Sequence, residues 1–384
     1  MNVKAADQEY IANTYSRFDL QIVSGHGSLV YDDAGKEYID LGSGIAANAF
    51  GVCDAYWQQA VIEQVMRVQH TSNLYYTEPQ ARLAKLLCEK TGMKKVFFSN
   101  SGAESNECAI KAARKYASDQ GSGRDTIITL KQSFHGRTIT TLSATGQEHF
   151  HHHFGPFTPG FVHVTPGDVE ELRAAASGRV CAIMLEMVQG EGGVNLLDAD
   201  YVHACAEICE KNDILLIVDE VQTGNGRTGK LYAYEHFGIH PDIVSTAKGL
   251  GGGLPIGACL FGEKTENTLT PGTHGSTFGG SPAVCAGALS ILGRIDEALL
   301  AQVRAKSEYL FSAFEGRPGI EQVSGLGLMI GIRTAKPAAE VVAKCMEQGV
   351  LVLTAHGKVR LLPALNIPME LVKKAAEVII AACA

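Results

Sequence analysis

The 384-residue sequence has no run of about 18 or more apolar residues, so a membrane-spanning helix is not expected. It also has no block of Lys and Arg, and its net charge of −8 argues against nucleic acid or an anionic membrane as the main partner. The first twenty residues lack the apolar core of a secretory signal. These absences predict a globular cytoplasmic protein, and the length suits two domains of ordinary size.

The ten cysteines include no C-x-x-C pair, and the two closest, Cys205 and Cys209, lie one helical turn apart. Most of the others stand in apolar runs, so free buried thiols are expected rather than a disulfide framework. The histidines of "HFHHHF" (149–154) raise the alternative of a metal site. Adjacent histidines do not converge on one tetrahedral point, so we expect a surface loop and no metal.

The middle of the chain alternates short apolar runs with helical patterns. The runs are continuous rather than alternating, which predicts strands buried on both faces of a mostly parallel sheet covered by helices. The expected strands are 125–130, 180–186, 214–220 and 242–248. We therefore expect an α/β fold made of a large domain at 51–283 and a smaller α+β domain at 284–384, with an N-terminal segment at 1–50 that packs with the small domain.

The stretch from Gly224 to Lys230 fits G-x-x-x-x-G-K, the pattern of a nucleotide-binding phosphate loop. A working loop needs Ser or Thr after the Lys to hold magnesium, and the residue here is Leu231. Two carboxylates, Asp219 and Glu220, also stand where the preceding strand ends, and they would repel a triphosphate. These residues argue against ATP or GTP hydrolysis, which is the alternative from a different class of function.

Three predicted strand ends carry other chemistry. Asp219 ends one strand, and Lys248 lies in a glycine-rich turn after the next strand. In "KKVFFSNSGAESNECAIKAARKYA", which reads strand, turn, helix, Ser101 and Glu104 form an S-x-x-E capping box, which predicts a helix start with open amides at 102–103 (Gly102 and Ala103) that suit a phosphate. Because ligands of parallel α/β sheets sit at the carboxyl ends of strands, these groups are expected to meet.

A lysine, a lone carboxylate and a phosphate site are the set that pyridoxal phosphate needs. The amine condenses with the cofactor aldehyde, and the carboxylate keeps the pyridine nitrogen protonated. In "FHGRT", Phe134 offers a stacking face and Arg137 a donor for a substrate carboxylate. Taken singly, each residue has a structural alternative, such as a helix cap for Asp219, a surface position for Lys248, the core for Phe134 or an ion pair for Arg137.

The sequence also resembles the class III pyridoxal-phosphate aminotransferases over essentially its whole length. The resemblance is carried by "NSGAESNECAIKAARKYA", "FHGRT", "VDEVQTGNGRTGK", "STAKGLGGGLPIGA" and "HGSTFGGSP". It implies the fold-type-I architecture of aspartate aminotransferase. The segments "GSLVYDDAGKEYIDLGSGIAANAFG" and "HTSNLYYTEPQARLAKLL" point to the acetylornithine aminotransferase branch.

The resemblance implies a role for each site residue. Lys248 and Asp219 are the catalytic pair, and the other cofactor contacts are Gly102, Ala103, Phe134, Glu220, Val221, Gln222 and Thr277, the last reaching the phosphate from the second subunit of a homodimer. Substrate contacts are Arg137 for the α-carboxylate, Ser276, and the pair Glu191 and Arg360. That pair is expected to stay closed with a diamino donor and to open for a dicarboxylate.

The resemblance further implies the substrates, an amino donor and a 2-oxo acid. The implied reaction moves the δ-amino group of N-acetylornithine to 2-oxoglutarate and gives N-acetylglutamate 5-semialdehyde and glutamate, a step of arginine synthesis. Ornithine, succinylornithine and 4-aminobutyrate remain alternative donors, since the residues that sense the acyl group cannot be placed from spacing.

Overall fold

The computed structural model describes residues 2–384. Its strands within this range are β1 Ile22–His26, β2 Leu29–Asp32, β3 Glu37–Asp40, β4 Lys95–Ser99, β5 Thr126–Leu130, β6 Phe161–Val164, β7 Val180–Leu185, β8 Val188–Gln189, β9 Asn195–Leu196, β10 Leu215–Asp219, β11 Ile243–Thr246, β12 Gly257–Phe261, β13 Ile320–Leu326, β14 Met329–Thr334, β15 Val350–Leu351, β16 Leu353–Ala355 and β17 Lys358–Leu361. The four strands expected from apolar runs are confirmed as β5, β7, β10 and β11.

The helices within the same range are α1 Val3–Tyr10, α2 Ser43–Ala46, α3 Ala55–Val65, α4 Glu78–Thr91, α5 Gly102–Asp119, α6 Ile139–Ala144, α7 Val169–Ala175, α8 Ala199–Asn212, α9 Pro282–Leu292, α10 Glu297–Phe314, α11 Ala338–Glu347 and α12 Met369–Cys383. Of these, α2 is a single left-handed turn, with φ between 40° and 66° from Ser43 to Ala46. No helix of the described chain is long and apolar enough to cross a membrane.

The central sheet of the described chain has seven strands in the order β4-β12-β11-β10-β7-β5-β6. Only β12 runs against its two neighbours, and the remaining paired strands are parallel. β7, β10, β11 and β12 are buried along their whole lengths, as their continuous apolar sequences require. The expected mostly parallel sheet is confirmed. Its carboxyl edge is the place where the groups from β4, β10 and β11 meet.

Helices cover both faces of this sheet. The Ala-rich side of α5, which includes Ala109, Ala113 and Ala117, packs on one face in a cluster with Ile217 and Ile243. The other face packs in a larger cluster that draws on α4, α8 and α9. Neighbouring strand residues alternate between the two clusters because side chains of a strand point to opposite faces.

The N-terminal strands pair with the C-terminal part of the chain. β1, β2 and β3 form an antiparallel meander, and β3 continues in parallel with β15, where Ile39 is the partner of Val350. A second sheet of the described chain has the order β13-β14-β17-β16. Within it, β17 carries Arg360.

The G-x-x-x-x-G-K stretch forms no open phosphate loop. Every residue from Thr223 to Gly229 is buried, and a Cβ on Gly224 would lie 2.6 Å from the carbonyl oxygen of Glu220. The buried guanidinium of Arg227 donates hydrogen bonds to the carbonyl oxygens of Leu328 and Pro363. The turn therefore ties β10 to the C-terminal part of the chain and leaves no room for a nucleotide.

All ten cysteines are free, and eight of them are buried, with Cys53 exposed and Cys88 half-buried. Free buried thiols are therefore confirmed for most of the set. The "HFHHHF" histidines lie in the loop before β6, and the described residues contain no group of three His, Cys, Asp or Glu side chains arranged to hold a metal ion.

Candidate active site

A cavity of about 450 Å³ opens at the carboxyl edge of the central sheet. Asp219 is the last residue of β10, Lys248 follows β11 by two residues, and α5 begins after β4. The three groups that the sequence places at strand ends are thus brought together. The cavity is lined by Ala47, Asn100, Ser101, Gly102, Ala103, Asn106, Phe134, His135, Gly136, Arg137, Glu186, Glu191, Asp219, Val221, Gln222, Ala247, Lys248, Gly253, Leu254, Pro255 and Ile256.

Lys248 is held in an unusual backbone conformation at the base of the cavity. Its φ is 45°, in the left-handed region that side-chain-bearing residues rarely adopt. Burial lowers the pKa of Lys248 to about 8, an effect that the charge of Glu191 partly offsets. A substantial fraction of this amine is therefore neutral near physiological pH, which makes it a nucleophile and a base.

Asp219 is buried and held by three hydrogen bonds. Its Oδ2 accepts from Nδ2 of Asn106 at 2.7 Å and from Nδ1 of His135 at 2.9 Å, while Oδ1 accepts from the amide of Val221 at 3.0 Å. Burial acts to lower the pKa of His135, but the hydrogen bond and charge of Asp219 outweigh it and the pKa is raised. Two of the four lone-pair positions lie on Oδ1 and only one is used, so this oxygen keeps capacity for a further donor.

The cavity has two walls suited to a flat ring, Phe134 on one strand-end loop and Val221 on another. Gly102 makes the second wall possible, because a Cβ at this position would lie 2.6 Å from Cγ1 of Val221. Only a glycine at position 102 allows the start of α5 to lie this close to Val221.

The N-terminus of α5 opens into the same cavity through Gly102 and Ala103. The predicted cap is present, since Oγ of Ser101 accepts from the amide of Glu104 at 3.2 Å. The Glu104 carboxylate accepts from the amide of Asn100 at 2.6 Å, one residue before the expected partner. The first amides of this 18-residue helix suit a phosphate group.

Glu191 and Arg360 form an ion pair beside Gln222. Nη1 of Arg360 lies 2.6 Å from Oε1 of Glu191, which also accepts from Nε2 of Gln222 at 3.1 Å. The Arg360 side chain is 4% exposed and that of Glu191 29%. Burial works to raise the pKa of Glu191, but the charge and hydrogen bond of Arg360 outweigh it and the pKa is lowered. Both groups are therefore charged, and the glutamate is the more accessible of the two.

Arg137 lines the cavity with its guanidinium against two aromatic rings. Its Cζ lies 5.6 Å from the ring centroid of Phe134 and 4.2 Å from that of Phe150. None of the salt bridges within residues 2–384 involves Arg137. Its N–H groups are therefore available to an incoming carboxylate.

Four of the residues expected in the site do not line the cavity: Glu220, Ser276, Thr277 and Arg360, the last of which contacts the lining residue Glu191. The carboxylate of Glu220 accepts hydrogen bonds from the amide of Tyr234 and the hydroxyl of Thr223, neither of which lines the cavity. Burial raises the pKa of Glu220 to about 7. Ser276 reaches the cavity only through Asn100, whose Nδ2 donates to its Oγ at 3.2 Å. Thr277 is exposed.

The sequence reasoning missed several cavity residues, among them the polar residues Asn106, His135 and Glu186. Oε2 of Glu186 accepts from the amide of Phe134 at 2.9 Å, and burial raises the pKa of Glu186 to about 8. Each had a local signal. His135 follows Phe134, Glu186 follows β7 directly, and Asn106 lies one helical turn after Gly102.

Residues 10–383 match the aminotransferase class-III family. An acetylornithine aminotransferase of Haemophilus ducreyi is 51% identical over 98% of this chain and 97% of its own, and one of Aquifex aeolicus is 43% identical over 96% and 98%. Among solved structures, ornithine aminotransferase of Toxoplasma gondii superposes with a TM-score of 0.95 at 33% identity, over 99% of this chain and 94% of that one. N-acetylornithine aminotransferase of Stenotrophomonas maltophilia gives 0.84 at 34% identity, over 98% and 97%.

The residues present fit pyridoxal phosphate, the cofactor of this family. Nε2 of His135 and Oδ1 of Asn106 are buried atoms without a partner among the described residues. Asp219, to which both side chains donate, has a free acceptor position on Oδ1. The cavity also combines a neutralisable amine, two walls for a ring and a helix start for a phosphate. This chain belongs to the class III aminotransferases and is a pyridoxal-phosphate-dependent transaminase.

Proposed function

We propose that the enzyme transfers the δ-amino group of N-acetylornithine to 2-oxoglutarate, giving N-acetylglutamate 5-semialdehyde and glutamate. The acetylornithine aminotransferases that are 40–51% identical to the chain support this choice of donor. The reaction would serve arginine synthesis, and the cytoplasmic location expected from the sequence is part of the same proposal.

The observation that carries the proposal is the presence of two arginines in different electrostatic states beside one cavity. Arg137 makes no salt bridge in residues 2–384, whereas Arg360 is neutralised by Glu191 at 2.6 Å. Free guanidinium is suited to the carboxylate that donor and acceptor share. A closed pair carries no net charge and suits the donor, whose single carboxylate goes to Arg137, and movement of the more exposed Glu191 would release Arg360 for the second carboxylate of 2-oxoglutarate.

The cofactor would be held by residues of this cavity. Lys248 would bond its aldehyde, Oδ1 of Asp219 would accept from its protonated ring nitrogen, and Gln222 would contact its phenolic oxygen. Phe134 and Val221 would cover the ring faces. The amides of Gly102 and Ala103 would bind the phosphate.

When bound, pyridoxal phosphate supplies an electron-accepting ring that acidifies the C–H bond next to the transferred amino group. Nζ of Lys248 would take that proton and deliver it to the neighbouring cofactor carbon, a task for which a pKa of about 8 is suited. Asn106 and His135 both donate to Asp219 and would hold its carboxylate in place against the ring nitrogen. Arg137 would fix the donor so that the reacting carbon faces Lys248.

We also propose that the active enzyme is a homodimer in which Thr277 binds the phosphate at the partner's cavity and Ser276 approaches its substrate. Thr277 is exposed and sits beside Phe278, which is 60% exposed. Leu74 and Tyr76 are still more exposed, and Nδ2 of nearby Asn73 donates to the carbonyl oxygens of Ser276 and Gly279. These exposed apolar side chains on two segments joined by Asn73 support burial against a second copy.

The test uses the purified holoenzyme and four amino donors: N-acetylornithine, ornithine, N-succinylornithine and 4-aminobutyrate. The change in cofactor absorbance reports the first half-reaction, and glutamate formed from 2-oxoglutarate reports the second. We expect the highest kcat/KM with N-acetylornithine. A higher value with ornithine, the substrate named for the Toxoplasma relative, would keep the chemistry and overturn the proposed donor.

A further inference from the structure

Arg137 poses a positioning problem that the cavity itself does not solve. A long flexible side chain with no ion pair samples many rotamers, and this disorder opposes binding of a carboxylate. The backbone next to Arg137 is tightly packed, because a Cβ on the preceding Gly136 would lie 2.5 Å from Oγ1 of Thr141. The guanidinium group is held by aromatic contacts instead, and the closer ring is that of Phe150, at 4.2 Å against 5.6 Å for Phe134.

Phe150 is itself fixed to the loop that carries Phe134. Nε2 of Gln147 donates to the carbonyl oxygen of Ser133 at 3.1 Å, and the amide of Gly146 donates to Oγ of the same serine at 3.0 Å. The amide of Phe150 donates to the carbonyl oxygen of Gln147 at 3.1 Å. The two rings meet edge to face at 5.8 Å. These hydrogen bonds and the ring contact hold Phe150 against the loop that carries Phe134.

A ring holds Arg137 in a way that an acidic partner could not. The five N–H donors of a guanidinium lie in its plane, and an aromatic ring attracts the cation through its face. Contact with Phe150 therefore restrains the side chain and leaves both its charge and its donors for the substrate. A carboxylate in the same place would use the donors and neutralise the charge.

We propose that Phe150 is a positioning residue that sets the affinity of the site for the carboxylate that Arg137 binds in the amino donor and in the 2-oxo acid. This inference rests on the role proposed above for Arg137. The ring of the adjacent His149 also contacts Phe150, with the centroids 3.9 Å apart and the planes tilted by 44°.

The test compares Phe150→Leu with Phe150→Tyr, which keeps an aromatic face, and with the control Phe154→Leu. Phe154 is 53% exposed in the same loop and makes no contact with Arg137 at cation–π distance. We expect Phe150→Leu to raise KM for N-acetylornithine and 2-oxoglutarate about 3- to 30-fold, the range of a cation–π contact, with kcat within about twofold. Phe150→Tyr and Phe154→Leu should behave like the wild type.

A ligand without the carboxylate separates positioning from general damage. N-acetylputrescine is N-acetylornithine lacking that group, and its inhibition constant against N-acetylornithine should be the same in wild type and Phe150→Leu. Equal weakening of both ligands, or an unchanged KM in Phe150→Leu, would overturn the role of Phe150. If the wild type binds N-acetylputrescine as tightly as N-acetylornithine, the role of Arg137 in the proposed function fails instead.

Discussion

His135 and Asn106 donate to the same oxygen of Asp219, at 2.9 and 2.7 Å, although these two residues come from different segments of the chain. Both lone pairs of Oδ2 are thereby used. The only oxygen of Asp219 that can still accept is Oδ1, and it belongs to a residue that lines the cavity. The two donors therefore fix the orientation of the carboxylate and leave Oδ1 as its open acceptor.

Replacing Asp219 with Asn should retain bound cofactor and reduce turnover roughly 10²- to 10³-fold, the loss typical of one electrostatic group at a reaction centre. The neutral side-chain amide of Asn cannot stabilise a protonated ring nitrogen of the cofactor as a carboxylate does. Single-turnover absorbance with N-acetylornithine measures the effect. The control is Asp242→Asn, a carboxyl at the opposite edge of the sheet that accepts from the amide of Leu216. Near-normal turnover in Asp219→Asn would remove the role given to this residue.

The pKa of about 8 for Lys248 sets the pH at which cofactor-free enzyme captures pyridoxal phosphate. Below pH 8 the amine is protonated and cannot attack the aldehyde, so the capture rate should rise with pH and level off above about 8. An ordinary lysine, with a pKa of 10.5, would keep gaining close to tenfold per pH unit up to pH 10. Stopped-flow absorbance distinguishes the two profiles, and Lys248→Ala should show no capture phase.

Removing the Arg360 side chain should damage one half-reaction more than the other. We expect Arg360→Ala to raise KM for 2-oxoglutarate roughly 30-fold or more, the cost of losing one partner of a buried charge pair, with a much smaller effect on N-acetylornithine. Arg333→Ala, from the exposed side of neighbouring strand β14, is the matched control. Equal loss in both half-reactions would mean that the Glu191–Arg360 pair does not discriminate between substrates.

The trans role of Thr277 can be tested by mixing protomers. Thr277→Ala should weaken cofactor binding about 10-fold, as expected for a hydrogen bond to a charged group. At a cofactor concentration that leaves this variant mostly empty, hybrids of Lys248→Ala and Thr277→Ala chains should regain activity, because one of their two sites is then entirely wild type. Hybrids with no more activity than the separate variants would show that each chain completes its own site.

Arg227 should matter for stability rather than for chemistry. Its side chain is 2% exposed and donates to the carbonyl oxygens of Leu328 and Pro363, which lie in the C-terminal part of the chain. Arg227→Met leaves these acceptors without their donor and should lower the free energy of unfolding by about 2–4 kcal/mol. Urea denaturation measures the change, with Arg317→Met on the surface as control. An unchanged midpoint would contradict this reading of the turn.

The parts of the site that follow strand ends were predictable. Continuous apolar runs identify the central strands, and their carboxyl ends must share an edge, so Asp219, Lys248 and the start of α5 could be brought together before any coordinates were known. Contacts between distant segments were not. The partners of Asp219 lie 84 and 113 residues away in sequence, and no local periodicity encodes such a pairing.

Glu220 shows a second kind of limit. It is adjacent to Asp219 and has the same chemistry, yet successive side chains at a strand end point to opposite sides. Asp219 lines the cavity, whereas the carboxylate of Glu220 accepts hydrogen bonds from Thr223 and Tyr234. Spacing alone identifies a pair of carboxylates without indicating which of the two faces the ligand.

Helix α5 fixes the spacing between two groups that line the cavity. Gly102 and Asn106 both line the cavity, and the step of four positions from one to the other is about one turn, about 6 Å along the helix axis. Insertion of one residue into this turn would rotate Asn106 by about 100° away from Asp219 while leaving the amides of the helix start in place. Insertions can therefore be accommodated beyond the far end of α5, around 120–124. In the first turn they would change the position of Asn106 relative to Gly102.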